Sequence, residues 1–231
     1  MIPIDYNTLI HSISYYLSYQ DRIGRSFMVN ESSLKYPVAD YLTSLKMSSA
    51  NIRVEYSHPF LQKRQIDLII TDDSQNIETA FEFKLAQSHT KYEAEQKRIF
   101  NDLMRLYLLS KTKATSAYFV VAGKESDFIQ SFRSIPSERP KSNIKKDLPE
   151  PKGFYTKWFT FKANESQTFN IKNASDSEYV DIYNAFLNKY KLQDSSITLD
   201  LPDTLITKCI AISALSRDFP TPYVAGVWKI E

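Results

Sequence analysis

Between Gln65 and Leu85 the chain spells out a hairpin, and this run constrains the fold more than any other. Gln65-Ile66-Asp67-Leu68-Ile69-Ile70 has strand character, and Ile77-Glu78-Thr79-Ala80-Phe81-Glu82-Phe83-Lys84-Leu85 alternates. Asp73-Ser74-Gln75-Asn76, a cluster of turn-forming residues, separates them. Side chains alternate across a strand, so Glu78, Ala80, Glu82 and Lys84 share one face, and Ile77, Thr79, Phe81, Phe83 and Leu85 the other. If Asp67 stands opposite Glu82, then Asp72 stands opposite Ile77 and the loop has about four residues, a common length. Asp67 then joins Glu82 and Lys84.

Two carboxylates with an ammonium beside them have the ingredients for cutting a phosphodiester. Mg²⁺ takes oxygen ligands and is usually held by one or two carboxylates plus phosphate and water. A bound metal polarises a phosphoryl oxygen and acidifies water, and a lysine can stabilise charge on the attacked phosphate. The same alternation also describes an antiparallel hairpin that turns a polar Glu-Lys face to water. Ile69, on the same face as Asp67, argues against full exposure of that face.

The surrounding elements read as follows. Asp5 caps a first helix carrying Leu9, Ile10, Ile13 and Leu17 at helical spacing. A second helical segment covers Glu31 to Leu45, with Leu34, Val38, Leu42 and Leu45 inward. Pro37 interrupts it: either the helix kinks there, or it starts near Tyr36 and leaves Glu31 on the preceding turn. Ile52 to Tyr56 alternates as a strand ahead of the hairpin. Thr90-Lys91-Tyr92-Glu93 matches a capping box opening a long helix to about Leu109. Ser116 to Gly123 reads as a buried strand. Further on, Phe154 to Phe161 is aromatic and strand-like, residues 176–191 read as a helix, Thr204 to Leu215 is open between helix and strand, and Tyr223 to Ile230 is a closing strand.

The order helix, three strands, helix, strand, with Asp67 on the second strand and Glu82-Phe83-Lys84 on the third, resembles the PD-(D/E)XK nuclease superfamily over residues 25–123. Ile66 stands where the proline of that name would be. The resemblance implies an α/β fold: a central mixed sheet flanked by helices, a restriction-endonuclease-like core with a C-terminal α+β extension. It implies metal-dependent nuclease activity, on DNA in preference to RNA, with Mg²⁺ or Mn²⁺ as cofactor. Asp67 and Glu82 would ligate the metal, Lys84 would orient or activate water, and Glu31 would be the upstream acid. Gln96, followed by Phe100, looks like the glutamine that some members carry on the helix after the lysine strand. A boundary position at the edge of the stripe Tyr92, Gln96, Ile99, Leu103, Leu106 is the alternative. Many members pair as homodimers to cut both strands, though no dimer seam is readable. A non-catalytic nucleic-acid- or protein-binding module on the same fold remains the rival.

Three divisions follow: a core over 1–135 including the N-terminal helix, a basic Pro-rich loop over 136–152, and a C-terminal extension over 153–231 packed on the core. The formal charge of +2 sets up no global field, so a nucleic-acid partner must be met by local patches. Lys141, Lys145 and Lys146 of the basic loop, and Lys63 and Arg64 just ahead of Asp67, are the candidate phosphate contacts. A solvated linker explains the loop equally well. Phe154, Tyr155, Trp158 and Phe159 either stack on bases or build core. Asp102 is expected on a solvent-facing charged side of the long helix with Lys91, Glu95, Arg98 and Arg105, and Glu55 is expected to be exposed. His11, His58 and His89 lack ligand spacing. With one cysteine, Cys209, no signal peptide and no apolar stretch long enough to span a bilayer, a reducing cytoplasmic setting is expected.

Overall fold

The computed structural model describes residues 3–87, 92–112, 115–131, 158–171, 184–186, 188–189, 202–214 and 218–231. The basic loop with Lys141, Lys145 and Lys146, most of the helix expected over 176–191, and His89, Thr90, Lys91, Phe154 and Tyr155 lie outside this set.

Helix α1 spans Tyr6–Arg22. Asp5 caps it, accepting from the Asn7 amide at 3.0 Å and the Thr8 hydroxyl at 2.6 Å. Leu9, Ile10, Ile13 and Leu17 are fully buried. The helix stops at Gly24, whose φ of 76° suits a residue without Cβ. The Gly24 amide reaches the Asp21 carbonyl and the Arg25 amide the Gln20 carbonyl, closing the last turn in a Schellman arrangement.

Next comes a 3₁₀ turn, Glu31–Leu34, capped by reciprocal bonds between Asn30 and Ser33. It runs into helix α2, Lys35–Ser44. Pro37 therefore sits in the first turn of α2, where its missing N–H removes no helical bond. Of the two placements open in the sequence, the second is realised: Glu31 lies on the turn before the helix.

Strands β1 (Ile52–Ser57), β2 (Gln65–Thr71) and β3 (Ile77–Ala86) form an antiparallel meander. Helix α3 (Tyr92–Thr112) then crosses over to β4 (Ser116–Lys124), which pairs parallel with β3. A short helix α4 (Glu125–Ser131) follows. Strands β5 (Ser166–Asn170), β6 (Thr204–Ile212) and β7 (Tyr223–Ile230) continue the same sheet in the order β1-β2-β3-β4-β7-β6-β5. The result is a seven-stranded mixed sheet of the α/β class, and the ambiguous Thr204 segment is a strand.

Helices cover both faces of the sheet. Leu68, Ile70, Phe81, Phe83 and Val120 pack with the apolar stripes of α1 and α2. On the other face Ile69, Ala80, Phe119 and Val121 pack with Ile99, Phe100 and Leu103 of α3 and with Trp158, Phe159 and Trp228. The aromatics at 158–161 build core, the second of the two readings, but they are not strand. Their carbonyls are taken by side chains instead of a ladder: Trp158 O accepts from the Thr207 hydroxyl, and Thr160 O from Trp228 Nε1 at 2.8 Å.

One correction concerns the hairpin. Leu68 pairs with Phe81 and Ile69 with Ala80, but a bulge after Ile70 sets Thr71 opposite Ile77. The loop is thus one residue longer than expected, because Asp72 leaves the ladder to bind the Asn76 amide (2.7 Å) and side chain (2.9 Å). Of the two readings of the face carrying Glu82 and Lys84, the one that turns it to water is not realised, since α3 lies on it.

At the end of the β3–β4 ladder Ala86 pairs with Gly123. A Cβ on Gly123 would come within 2.9 Å of both the Ala86 Cβ and the Ala86 carbonyl oxygen. Gly123→Ala must push two paired backbones apart, so it should cost about 1–3 kcal/mol in urea unfolding.

Candidate functional site

The hairpin register, carried one step beyond Leu68–Phe81, sets Asp67 opposite Glu82, and alternation puts Lys84 on the same face. The Asp67 carboxylate is fixed by its own sheet: Oδ2 accepts from the Phe83 amide at 2.8 Å. Glu82 is 2% and Lys84 4% exposed, so this is a buried site and not a solvated hairpin surface.

Helix α3 supplies a second wall. Arg105 grips Glu82 with both arms of its fork, Nε to Oε1 at 3.0 Å and Nη2 to Oε2 at 2.9 Å. The same Nη2 meets Asp102 Oδ1 at 2.7 Å. Lys84 Nζ lies 3.2 Å from Glu31, 3.6 Å from Asp102 and 3.9 Å from Glu95. Lys35, at the start of α2, reaches Asp67 Oδ1 at 3.1 Å and also pairs with Glu55. Glu55 itself has a φ of 50°, a left-handed conformation that costs a non-glycine residue about 1–3 kcal/mol. It is half-exposed, but as Lys35's partner it is a neighbour of the site.

These contacts gather Asp67, Glu82, Lys84 and Glu31, as the sequence led us to expect. They also correct the expected solvent-facing side of α3: Glu95 and Asp102 are buried against the sheet, and Arg105 is nearly so. Gln96 is fully buried instead of lying at a boundary, but the residue of that turn brought within 4 Å of Lys84 is Glu95. Lys63, with a φ of 55°, and Arg64 stand on the turn entering β2, with Lys63 exposed. Lys35, Glu95, Asp102 and Arg105 were not found from sequence. A usable signal existed for two of them, since Glu95, Ile99, Asp102 and Leu106 fall at i, i+4, i+7, i+11. An acid sharing a line with core residues is an acid facing the core.

The electrostatics follow from crowding. Six acids (Glu31, Glu55, Asp67, Glu82, Glu95, Asp102) meet four bases (Lys35, Lys84, Arg98, Arg105), an excess of two negative charges. Burial pushes the Glu82 carboxyl well above the ordinary carboxylate range; Arg105 opposes the shift, while Asp102 and Asp67 add to it. Asp102 and Glu31 are likewise raised, first by burial. Burial alone would lower Lys84, but Asp102, Glu31 and Glu95 outweigh it and hold the ammonium charged. Lys35 is raised in the same way, with Glu55 and Asp67 overcoming desolvation.

Among the described residues no group of three or more His, Cys, Asp or Glu side chains is placed to hold a metal ion. Asp67 and Glu82, oxygen donors on adjacent strands, are of the donor type that Mg²⁺ and Mn²⁺ take.

His58 is fully buried behind this wall. Its Nδ1 accepts from the Phe60 and Leu61 amides, both at 3.1 Å, so the proton sits on Nε2, which donates to the Arg105 carbonyl at 3.2 Å. The ring thus ties the β1–β2 turn to α3 at Arg105. Burial, aided by the Arg105 charge, depresses its pKa from 6.5 to about 4. The folded state therefore resists a proton that the unfolded chain accepts. His58 contributes its full stability above pH 6.5, and that contribution is lost as pH falls toward 4. The wild type's stability in urea relative to His58→Asn should therefore fall by about 3 kcal/mol over this window.

Comparison with family models, with curated proteins and with solved structures gave no match. Among the described residues no helix is long and apolar enough to cross a membrane.

Proposed function

We propose that the chain is a metal-dependent nuclease that hydrolyses phosphodiester bonds, with DNA as its substrate, on a restriction-endonuclease-like core of the PD-(D/E)XK type. One observation carries the reading: Asp67, Glu82 and Lys84 share one face of the β2–β3 hairpin, where Glu82 and Lys84 are buried among further acids. The element order around them, helix, three strands, helix, strand, supports it.

Asp67 and Glu82 would hold Mg²⁺ or Mn²⁺. When bound, the ion supplies Lewis-acid polarisation of the phosphoryl oxygen and a more acidic water. Lys84 neutralises charge that develops on the attacked phosphate, in a site where burial makes that interaction strong. Glu31, Glu95 and Asp102 hold its ammonium protonated and aimed. Gln96 supports the same end of α3. Lys63 and Arg64, at the mouth of β2, and Lys141, Lys145 and Lys146 would follow the phosphate backbone. Buried Cys209 as a reduced thiol fits a cytoplasmic setting. A homodimer would let two such sites cut both strands.

The bidentate hold of Arg105 on Glu82 favours a second reading, a non-catalytic nucleic-acid- or protein-binding module whose buried ion pairs only brace the fold. Incubation with linear, circular and single-stranded DNA separates the two. The nuclease reading expects Mg²⁺- or Mn²⁺-dependent cutting that EDTA stops. Binding without cutting, at any metal concentration, selects the module.

A further inference from the structure

Both proposed ligands already hold a cation of the chain's own. Arg105 takes both oxygens of Glu82, and Lys35 takes Oδ1 of Asp67 while the Phe83 amide takes Oδ2. A guanidinium fork uses the same carboxylate lone pairs that a metal ion needs. Arg105 also has a second acid to go to. Asp102, one turn back on α3, already accepts from Nη2 at 2.7 Å, and its other oxygen faces Lys84 at 3.6 Å. The backbone of this turn is anchored by His58 through the Arg105 carbonyl, so the side chain can shift while the helix stays in place.

Resting on the metal-dependent reading above, we infer that Arg105 is an internal competitor for the metal: it neutralises Glu82 in the empty site and transfers to Asp102 when a divalent cation takes Glu82. The exchange leaves no acid stranded. Before loading, Glu82 and Asp102 share one guanidinium. After loading, Glu82 faces the metal and Asp102 keeps Arg105. The affinity for metal is therefore the difference between two pairings of Glu82, and it is weaker than the bare carboxylates would give.

The wild-type chain tests this without any variant. The Arg105 Nε–H resonance should sit in a hydrogen-bonded position and leave it as Mg²⁺ is added, in step with saturation of the site. In parallel, free Mn²⁺ is counted by electron paramagnetic resonance against wild type, Arg105→Gln and Asp67→Asn. Arg105→Gln should bind about ten-fold more tightly than wild type, and Asp67→Asn should lose binding. The inference is overturned if wild type binds Mn²⁺ through Asp67 while the Arg105 resonance stays put, or while Arg105→Gln binds no better; the nuclease reading then survives. If neither wild type nor Arg105→Gln binds Mn²⁺, both fall together.

Discussion

Lys84→Met should lower metal-dependent DNA cleavage by about two to three orders of magnitude while leaving Mn²⁺ binding intact. Methionine fills much of the lysine's volume on β3 but carries no charge. Three acids, Glu31, Asp102 and Glu95, now face the Lys84 ammonium within 4 Å. Losing it removes a positive charge from beside the metal ligands, so the site should hold a divalent cation at least as well as before. What disappears is the group positioned to meet charge on the phosphate. The rate must therefore fall with metal occupancy unchanged. Single-turnover cleavage at saturating Mn²⁺, with occupancy measured on the same sample, checks this. A variant that cuts at the wild-type rate would show that Lys84 only balances charge.

Arg105→Ala should destabilise the fold by about 3–5 kcal/mol at neutral pH, the cost of breaking a buried ion pair from one side. Glu82 is 2% and Asp102 7% exposed, and both give an oxygen to this guanidinium. Without it they must either stay charged and unpaired or take up protons. Their folded-state pKa values are already raised, chiefly by burial, and removing Arg105 raises them further. A carboxyl whose folded pKa is raised favours the fold below its unfolded pKa and loses that benefit as pH climbs through the folded value. The variant's deficit should thus be largest at neutral pH and shrink toward the ordinary carboxylate value near 4.5. Urea midpoints for variant and wild type from pH 7 to 4.5 measure it. If Arg105 matters as the metal's competitor, saturating Mn²⁺ should return part of the lost stability by mass action.

What the sequence disclosed and what it hid have separate physical causes. Strand and helix periods are local, so α1 with its Asp5 cap, the alternating β3, and β7 over Tyr223–Ile230 could be read directly. The triad was legible because a hairpin register is also nearly local, with Asp67 and Glu82 separated by one turn. The wall from α3 was not. Arg105 meets Glu82 only after a parallel crossover lays the helix on the sheet, and a charged stripe on a helix reads the same whether it faces water or buried acids. Lys35 was missed because nothing in a lone lysine before Tyr36 announces that a helix start will bring it to Asp67. The longer hairpin loop was hidden by the Asp72 side chain's competition for the turn's backbone, which a count of loop residues does not register.

A nuclease built this way needs Asp67 and Glu82 to grip one divalent cation together. A crystal soaked in Mn²⁺ and measured at the manganese absorption edge addresses this most directly. An anomalous peak should stand within coordination distance of both carboxylates in the wild type and vanish in Asp67→Asn. A well-ordered site with the Arg105–Glu82 pair intact and no peak at saturating Mn²⁺ would contradict it.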